Sequence, residues 1–434
     1  MKRKALVVAV GALFVAPAAQ AQITFGNEQI GTLQIYGKLY PQFGWASYDN
    51  STQPGAAVAT FQGGGVGTVA APLTNTIAAG ARIEDPLARQ TVNVGNSYIG
   101  FRGERGLGNT MGGLKAIWQI ETSTNFDVGT GTWASRDSFV GLTSGSFGTV
   151  RLGNMDTVYK SYGDTFSMFG IASGNFVSAS NVLSQSIAGN GAARFHERRT
   201  NSIMYETPRF AGFNAGIMYG PDEAKTSARN QTLWSYGVKY DTERFYASVH
   251  QEKHYDFFGL SNSIANAALK NVGATGTPNA GSHSTDTATR FSAEYRWGSG
   301  RVTFDIAKLE YDETDPVFSA ANPVRAKKYE HTNSAIGIDW GFGPWRFASQ
   351  YVIAGEGSCE LQSSGVAPSC STAGLQAKLW TLGARYRFDR QTFVYAIYAH
   401  MDNGVSSAYS NGAPVAPNIG NDMDQFALGV SYSF

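Results

Sequence analysis

The sequence predicts an all-β fold, a closed 16-stranded antiparallel transmembrane β-barrel. Three observations predict it: two-residue alternation of apolar with polar or small side chains, connections that are alternately short and long, and an unusual composition. Of 434 residues, 51 are Gly, 26 Phe, 21 Tyr and 8 Trp, while only 15% are charged, against roughly 25% in soluble domains. A disordered chain would be charge-rich and poor in aromatics. Collagen is excluded by the missing Gly-X-Y period. Beyond the first two dozen positions no apolar run reaches the roughly 18 residues that a membrane-spanning helix needs.

At the start of the chain, residues 1–21 read as a cleaved signal peptide. Lys2, Arg3 and Lys4 are a positive leader, Ala5 to Val15 a short apolar core, and Ala19-Gln20-Ala21 a small-x-small cleavage site. The mature chain, residues 22–434, is then one barrel domain in an oxidising compartment. Losing those three cations leaves 31 Lys+Arg against 33 Asp+Glu, a net of −2. Neither nucleic acid nor a simple polyanion is implied as a partner.

Successive strand side chains point to opposite faces, so a strand between two solvents must alternate. Leu33, Ile35, Leu39, Phe43 and Trp45 oppose Gln34, Tyr36, Lys38, Tyr40 and Gln42. Further on, Trp234, Tyr236, Val238 and Tyr240 oppose Ser235, Gly237 and Lys239; Phe291, Ala293, Tyr295 and Trp297 oppose Arg290, Ser292, Glu294 and Arg296. Phe393, Tyr395, Ile397 and Ala399 share the apolar side of another such segment. The last strand sets Phe426, Leu428, Val430, Tyr432 and Phe434 against Gln425, Ala427, Gly429, Ser431 and Ser433.

Seven tight turns are read at 106–109, 144–148, 208–212, 241–244, 298–300, 341–343 and 389–390, and eight longer stretches near 49–90, 127–134, 156–197, 220–230, 256–286, 313–332, 357–375 and 404–422. These fifteen connections join sixteen antiparallel strands. Short turns on one rim and long loops on the other describe an outer-membrane barrel. Closure is required because an open sheet edge in lipid leaves backbone groups unpaired. A soluble sandwich would turn its apolar faces inward, but here the other face carries Lys, Arg, Glu and Asp. About sixteen strands leave a lumen wide enough for water.

Cys359 and Cys370 are the only cysteines and lie in a Gly/Ser-rich stretch. In an oxidising compartment they are expected to form one disulfide closing a short loop, contributing about 3 kcal/mol locally. Metal binding needs more ligands than this stretch offers.

Ser97-Tyr-Ile-Gly-Phe-Arg-Gly-Glu104 with Gly113-Leu-Lys-Ala-Ile-Trp-Gln-Ile-Glu121, then Phe139-Val-Gly-Leu142, Phe147-Gly-Thr-Val-Arg-Leu-Gly153, Asn201-Ser-Ile-Met-Tyr-Glu-Thr-Pro208 and Gly429-Val-Ser-Tyr-Ser-Phe434 occur in order. In these motifs the chain resembles the trimeric general-diffusion porins of Gram-negative outer membranes, in style nearer the β-proteobacterial ones. The resemblance runs from about Leu33 to Phe434. It implies a third loop, here 156–197, folded into the barrel, with acids on the loop facing bases on the wall. It also implies a homotrimer in contact with outer-membrane lipid and lipopolysaccharide.

Carried over by motif, the wall bases are Lys38, Arg136 and Arg198, and the loop acid is Asp164 in Asp164-Thr-Phe-Ser-Met-Phe-Gly170. The family's second loop acid is Met168 here and its second-strand arginine is Tyr98; Arg102, four residues on along the same face, is the substitute. The third loop shows no obvious apolar anchor of its own. Gly37 and Gly141 are expected on the lipid face, where they would permit close subunit packing or equally serve as barrel bends.

Chemistry signals are weak. His250 and His254 are roughly 13 Å apart on a strand, too far to share a metal, and read as lumen and rim residues. Neither Gly63-Gly-Gly-Val-Gly67 nor Gly106 to Gly112 sits between a strand and a helix, as a phosphate loop requires. No catalytic motif and no cofactor is expected. The expected function is a water-filled channel in the bacterial outer membrane for passive diffusion of ions and small hydrophilic solutes. Counting Lys160 and Asp156 on the loop, the constriction is net positive, and rings of one sign favour the opposite ion, so a weak anion preference is expected. The alternative is a channel selective for one solute class, such as organic acids, phosphate or sugars; a sugar channel would show a line of aromatics on the lumen face, for which Tyr36, Tyr40, Tyr98 and Tyr246 are suggestive without being contiguous. A barrel enzyme would need a paired nucleophile and base.

Overall fold

The computed structural model describes residues 23–27, 31–63, 75–108, 110–171, 175–191, 194–273, 276–315, 317–318 and 323–434. The predicted signal peptide and most of the 63–67 glycine run lie outside them. The strands of the first half are β1 (Ile23–Asn27), β2 (Gly31–Leu39), β3 (Gln42–Asp49), β4 (Arg89–Asn93), β5 (Tyr98–Gly106), β6 (Lys115–Ser123), β7 (Ser138–Ser144), β8 (Gly148–Asp156), β9 (Arg198–Glu206) and β10 (Phe213–Gly220). Those of the second are β11 (Thr232–Asp241), β12 (Phe245–Tyr255), β13 (His283–Trp297), β14 (Gly300–Thr314), β15 (Val324–Phe342), β16 (Trp345–Ala354), β17 (Ser358–Ser363), β18 (Ala377–Arg387), β19 (Thr392–Asn403) and β20 (Asp422–Ser433).

Neighbours pair antiparallel throughout, and β20 closes the sheet on β3 and the end of β2. Twenty segments make sixteen crossings. β2 and β3 are one strand bent at Tyr40-Pro41, β4 and β5 another bent at 94–97, and β17 prolongs β16 along β15. β1 is not a crossing. Phe434 exchanges both backbone hydrogen bonds with Gly37 at 3.0 Å, and β1 takes up the same edge of β2 directly below, from Ile23 opposite Ile35 to Asn27 opposite Gly31. The chain's beginning thus pairs an edge that its end leaves free, as lipid demands.

Six of the seven tight turns fall where the sequence places them, the one read at 106–109 being a longer connection from Gly106 to Lys115 with a 3-10 turn at Thr110–Gly112, and two long connections are shorter than expected. Alternation continues past the membrane, so β14 runs to Thr314, β15 starts at Val324, and β17 pairs β15 within the stretch read as a loop. β13, β14 and β15 have 15, 15 and 19 residues, whereas about 9–11 span a bilayer. This side of the barrel stands as a raised wall, its outer surface carrying the ion pairs of Lys308 and Lys328 with Glu310 and Glu330. In the extension the sulfurs of Cys359 and Cys370 are bonded, with Cα atoms 5.7 Å apart.

Phe43, Trp45, Trp234, Tyr236, Phe291, Tyr295, Trp297, Leu428, Val430 and Tyr432 are exposed on the outer surface, while Arg290, Ser292, Ser235 and Gln425 are buried inside. β19 departs from the expected sidedness. Tyr395, Ile397 and Ala399 are buried inward and Val394 is exposed outward. The reason is the third long connection, loop 3 (157–197), which covers this wall. Gly141 also faces inward, between the exposed Val140 (60%) and Leu142 (43%). Gly37 does face outward, but a Cβ there would lie 2.6 Å from the Phe434 ring, so its space holds the last side chain rather than a neighbouring subunit.

Loop 3 carries two short helices, α1 (Val158–Gly163) and α2 (Ser180–Leu183). Contrary to expectation it is rich in apolar anchors. Phe166, Met168, Phe169, Phe176, Val182 and Leu183 form one buried cluster with Ala335, Ala348, Val352, Leu379, Ile397 and Met401 of the wall. Burying such a side chain contributes about 1.5–3 kcal/mol. The wall makes room with inward glycines, since a Cβ on Gly337 or Gly383 would lie 2.6 Å from the ring of Phe166 or Phe169. A second cluster, with Phe61 of the first long loop, Tyr159, Phe195, Tyr311 and Tyr329, fills the outer half on the β13–β17 side. A third, smaller cluster, with Phe139, Met155, Val158, Tyr162, Met204, Met218 and Leu233, lies on the β7–β11 side.

Candidate pore constriction

Hydrogen bonds to the wall fix the course of loop 3. Tyr159 N donates to Ser235 Oγ at 2.8 Å and Tyr246 Oη to the Tyr162 carbonyl at 2.6 Å. Arg301 donates to the carbonyls of Thr165 and Ser167 at 3.1 and 2.6 Å. Farther round the barrel Lys38 Nζ donates to the Gly170 carbonyl at 2.9 Å, and Asn175 Nδ2 to Gln42 Oε1 at 3.2 Å. The loop then doubles back, Gln350 donating to the Val177 carbonyl at 2.6 Å. Its tip therefore reaches the strand that carries Lys38.

The four wall bases belong to one connected belt. Arg102 Nε donates to Gln34 Oε1 at 2.9 Å and its guanidinium lies 4.8 Å above the Tyr36 ring. Tyr36 Oη donates to Glu121 at 3.0 Å, and the other oxygen of Glu121 takes the Nε of Arg136. Arg136 and Lys38 both face the Tyr98 ring, 4.8 and 5.7 Å from its centre. Next to Arg136, Asp137 accepts from Arg198 Nε at 2.6 Å; Arg198 also pairs with Asp156 at 2.6 Å, and Asp156 forms an ion pair with Lys160 of α1 at 2.9 Å. The belt holds five cations, Lys38, Arg102, Arg136, Arg198 and Lys160, and three carboxylates, Glu121, Asp137 and Asp156. Half-buried charges beside low-dielectric walls act on a passing ion more strongly than charges in open water.

Asp164 is not in the belt. It caps the end of α1 and is turned to His196 Nε2. Burial holds the His196 imidazole below the ordinary histidine range, with Asp164 pulling the other way. Met168, at the family's second acid position, is fully buried, where an unpaired carboxylate would be costly. Tyr98 is a ring platform for two cations rather than a vacancy filled by Arg102, which sits one hydrogen-bonded step away at Gln34. His250 and His254 are on the lumen side but buried beneath loop 3, against Tyr159 and Phe195, with ring centres 5.1 and 4.7 Å apart. Among the described residues no cluster of three metal-ligating side chains occurs. Glu121 and Asp137 were legible: one ends a quoted motif on the lumen parity and the other follows Arg136.

A family model described as Gram-negative porin matches residues 5–406. The major outer membrane protein P.IB of Neisseria lactamica is 35% identical over 153 residues, 35% of this chain and 40% of the relative. That of Neisseria gonorrhoeae is 38% identical over 152 residues, 35% of this chain and 39% of the relative. The matched part thus spans about two fifths of the length of these curated relatives. Among solved structures, an anion-selective porin from Comamonas acidovorans superposes with a TM-score of 0.61 at 18% identity, covering 93% of this chain and all of that one. The outer membrane protein OmpT of Vibrio cholerae does so with a TM-score of 0.58 at 14% identity, covering 94% and 99%. With the matched model covering nearly the whole of a closed 16-stranded barrel, the chain belongs to the Gram-negative porin family and is a protein of the outer membrane.

Proposed function

We propose that this porin is a passive, water-filled channel for ions and small hydrophilic solutes, weakly preferring anions, and that residues 1–21 are removed on export. The belt of five cations against three carboxylates carries the reading, because its excess positive charge lines the wall that loop 3 reaches at Gly170 and through Lys160. Lys38, Arg102, Arg136 and Arg198 act as constriction residues; Asp164 acts by holding the end of α1 through His196. The exposed apolar outer face suits lipid, the raised polar wall suits lipopolysaccharide, and the assembly proposed is a homotrimer. Planar-bilayer conductance combined with liposome swelling by sugars of increasing size tests the channel. Conductance scaling with bulk salt and swelling that falls with solute size are expected; no conductance would reject it. An unheated sample running at monomer mobility on a gel would reject the trimer.

A further inference from the structure

Beneath loop 3, on the side of the short turns, the wall carries a second group of arginines that the belt does not use. Three carboxylates stand among them and each is taken. Asp339 accepts from Arg346 Nε at 2.9 Å and from Arg301 at 3.3 Å; Glu294 and Asp241 each pair with Arg296 at 2.9 Å. Arg385 and Arg387 of β18 are left, and among the described residues neither makes an ion pair. Arg385 stands directly opposite Arg346 across the strand pair, a like-charge juxtaposition that costs stability unless something neutralises it.

The Arg385 guanidinium lies 4.9 Å from the centre of the Phe393 ring and 5.9 Å from that of Phe169, and its Nε is buried with no hydrogen-bond partner. With rings against it and Nε buried, the donors open to a ligand are the two terminal nitrogens, which can grip two oxygens at once. Arg387, two residues nearer the turn on the same face, is exposed.

We propose that Arg385, with Arg346 and Arg387, is a binding station for a small oxyanion, a carboxylate or phosphate, lying between loop 3 and the turn-side mouth. An anion leaving the belt meets a second set of donors before the exit, and Phe169 makes loop 3 part of this station. The proposal adds to the anion preference of the belt and is read independently of it.

Inorganic phosphate is added stepwise to both sides of a bilayer holding the intact porin, at fixed chloride. A saturating fall in chloride current is expected. Arg385→Gln raises its midpoint about tenfold, equivalent to 1.4 kcal/mol. Arg387→Gln, which removes an exposed side chain with no partner, raises it severalfold and serves if the first variant does not assemble. Lys327→Gln, on the outer wall where Lys327 pairs with Glu360, leaves it in place. No block in the native porin, an unchanged midpoint in the arginine variants, or an equal shift in Lys327→Gln would overturn the station. The zero-current potential in the same traces reads the belt separately, so a lost anion preference with block intact would sink only that reading.

Discussion

Apart from Lys160, which pairs with Asp156 four residues before it, each base of the belt is held by a partner on another element. Arg136 rests on Tyr98 and bonds Glu121, and Arg198 bridges Asp137 and Asp156. Changing Arg136→Ala together with Arg198→Ala leaves three cations against three carboxylates. The zero-current potential is then expected to move toward cations, by severalfold in permeability ratio; no movement would mean that the belt does not set selectivity. Lys38 has a second task, since its ammonium holds the loop tip through the Gly170 carbonyl. A hydrogen bond to a charged group contributes about 1.5–3 kcal/mol. Lys38→Met, which keeps the stem, should raise the detached fraction of the tip about tenfold or more, recorded as open-channel noise; a quiet channel would contradict the anchor. Parity alone put Lys38 on the lumen face. Parity could not show that Tyr98 would be a platform, because its partner Arg136 arrives from the loop before β7.

At the scale of the element, loop 3 was legible in length and position and illegible in its packing. Tyr159, Tyr162, Phe166, Phe169 and Phe176 recur at helical intervals of 3, 4, 3 and 7 residues, yet only the first two lie in a helix, α1, so the period does not disclose what they pack on. Phe166 and Phe169 dock on the inward glycines Gly337 and Gly383, more than a hundred residues later, and Tyr162 on Gly216. The same fact reversed the sidedness read for β19, whose inner face meets the loop and not water. Gly337→Val or Gly383→Val would put a side chain into the Phe166 or Phe169 ring, with a packing cost of about 1–3 kcal/mol. Higher and noisier conductance is expected from a barrel that still shifts on heating in a gel; unchanged conductance would contradict the niche.

Loop docking should also respond to acid. The His196 imidazole titrates below its ordinary value of about 6.5, chiefly because it is buried and also because Lys160 and Arg290 repel a proton there. The undocked loop then binds protons more readily than the docked one. Docking is therefore complete above the ordinary value and weakens as pH falls below it toward the lowered native one. Channel noise should rise below about pH 6 in the native porin and rise less in His196→Gln; equal pH profiles would remove His196 as the cause.

For the whole molecule, closure follows from pattern and chemistry together. Alternation to the last residue, short turns against long loops and an apolar, aromatic outer face leave a sealed barrel as the arrangement lipid permits. What the pattern did not disclose is how unevenly the lumen is filled. Apolar clusters of loop 3 and its neighbours occupy the β13–β20 side, and the charges that matter to an ion gather on β2 and β5–β9. The low overall charge of the chain thus says little about its channel, where a few residues outweigh the rest. The zero-current potential of the native porin across a salt gradient tests this most directly: the sign of anion preference is predicted although the mature chain carries a net charge of −2, and the sign of cation preference would contradict it.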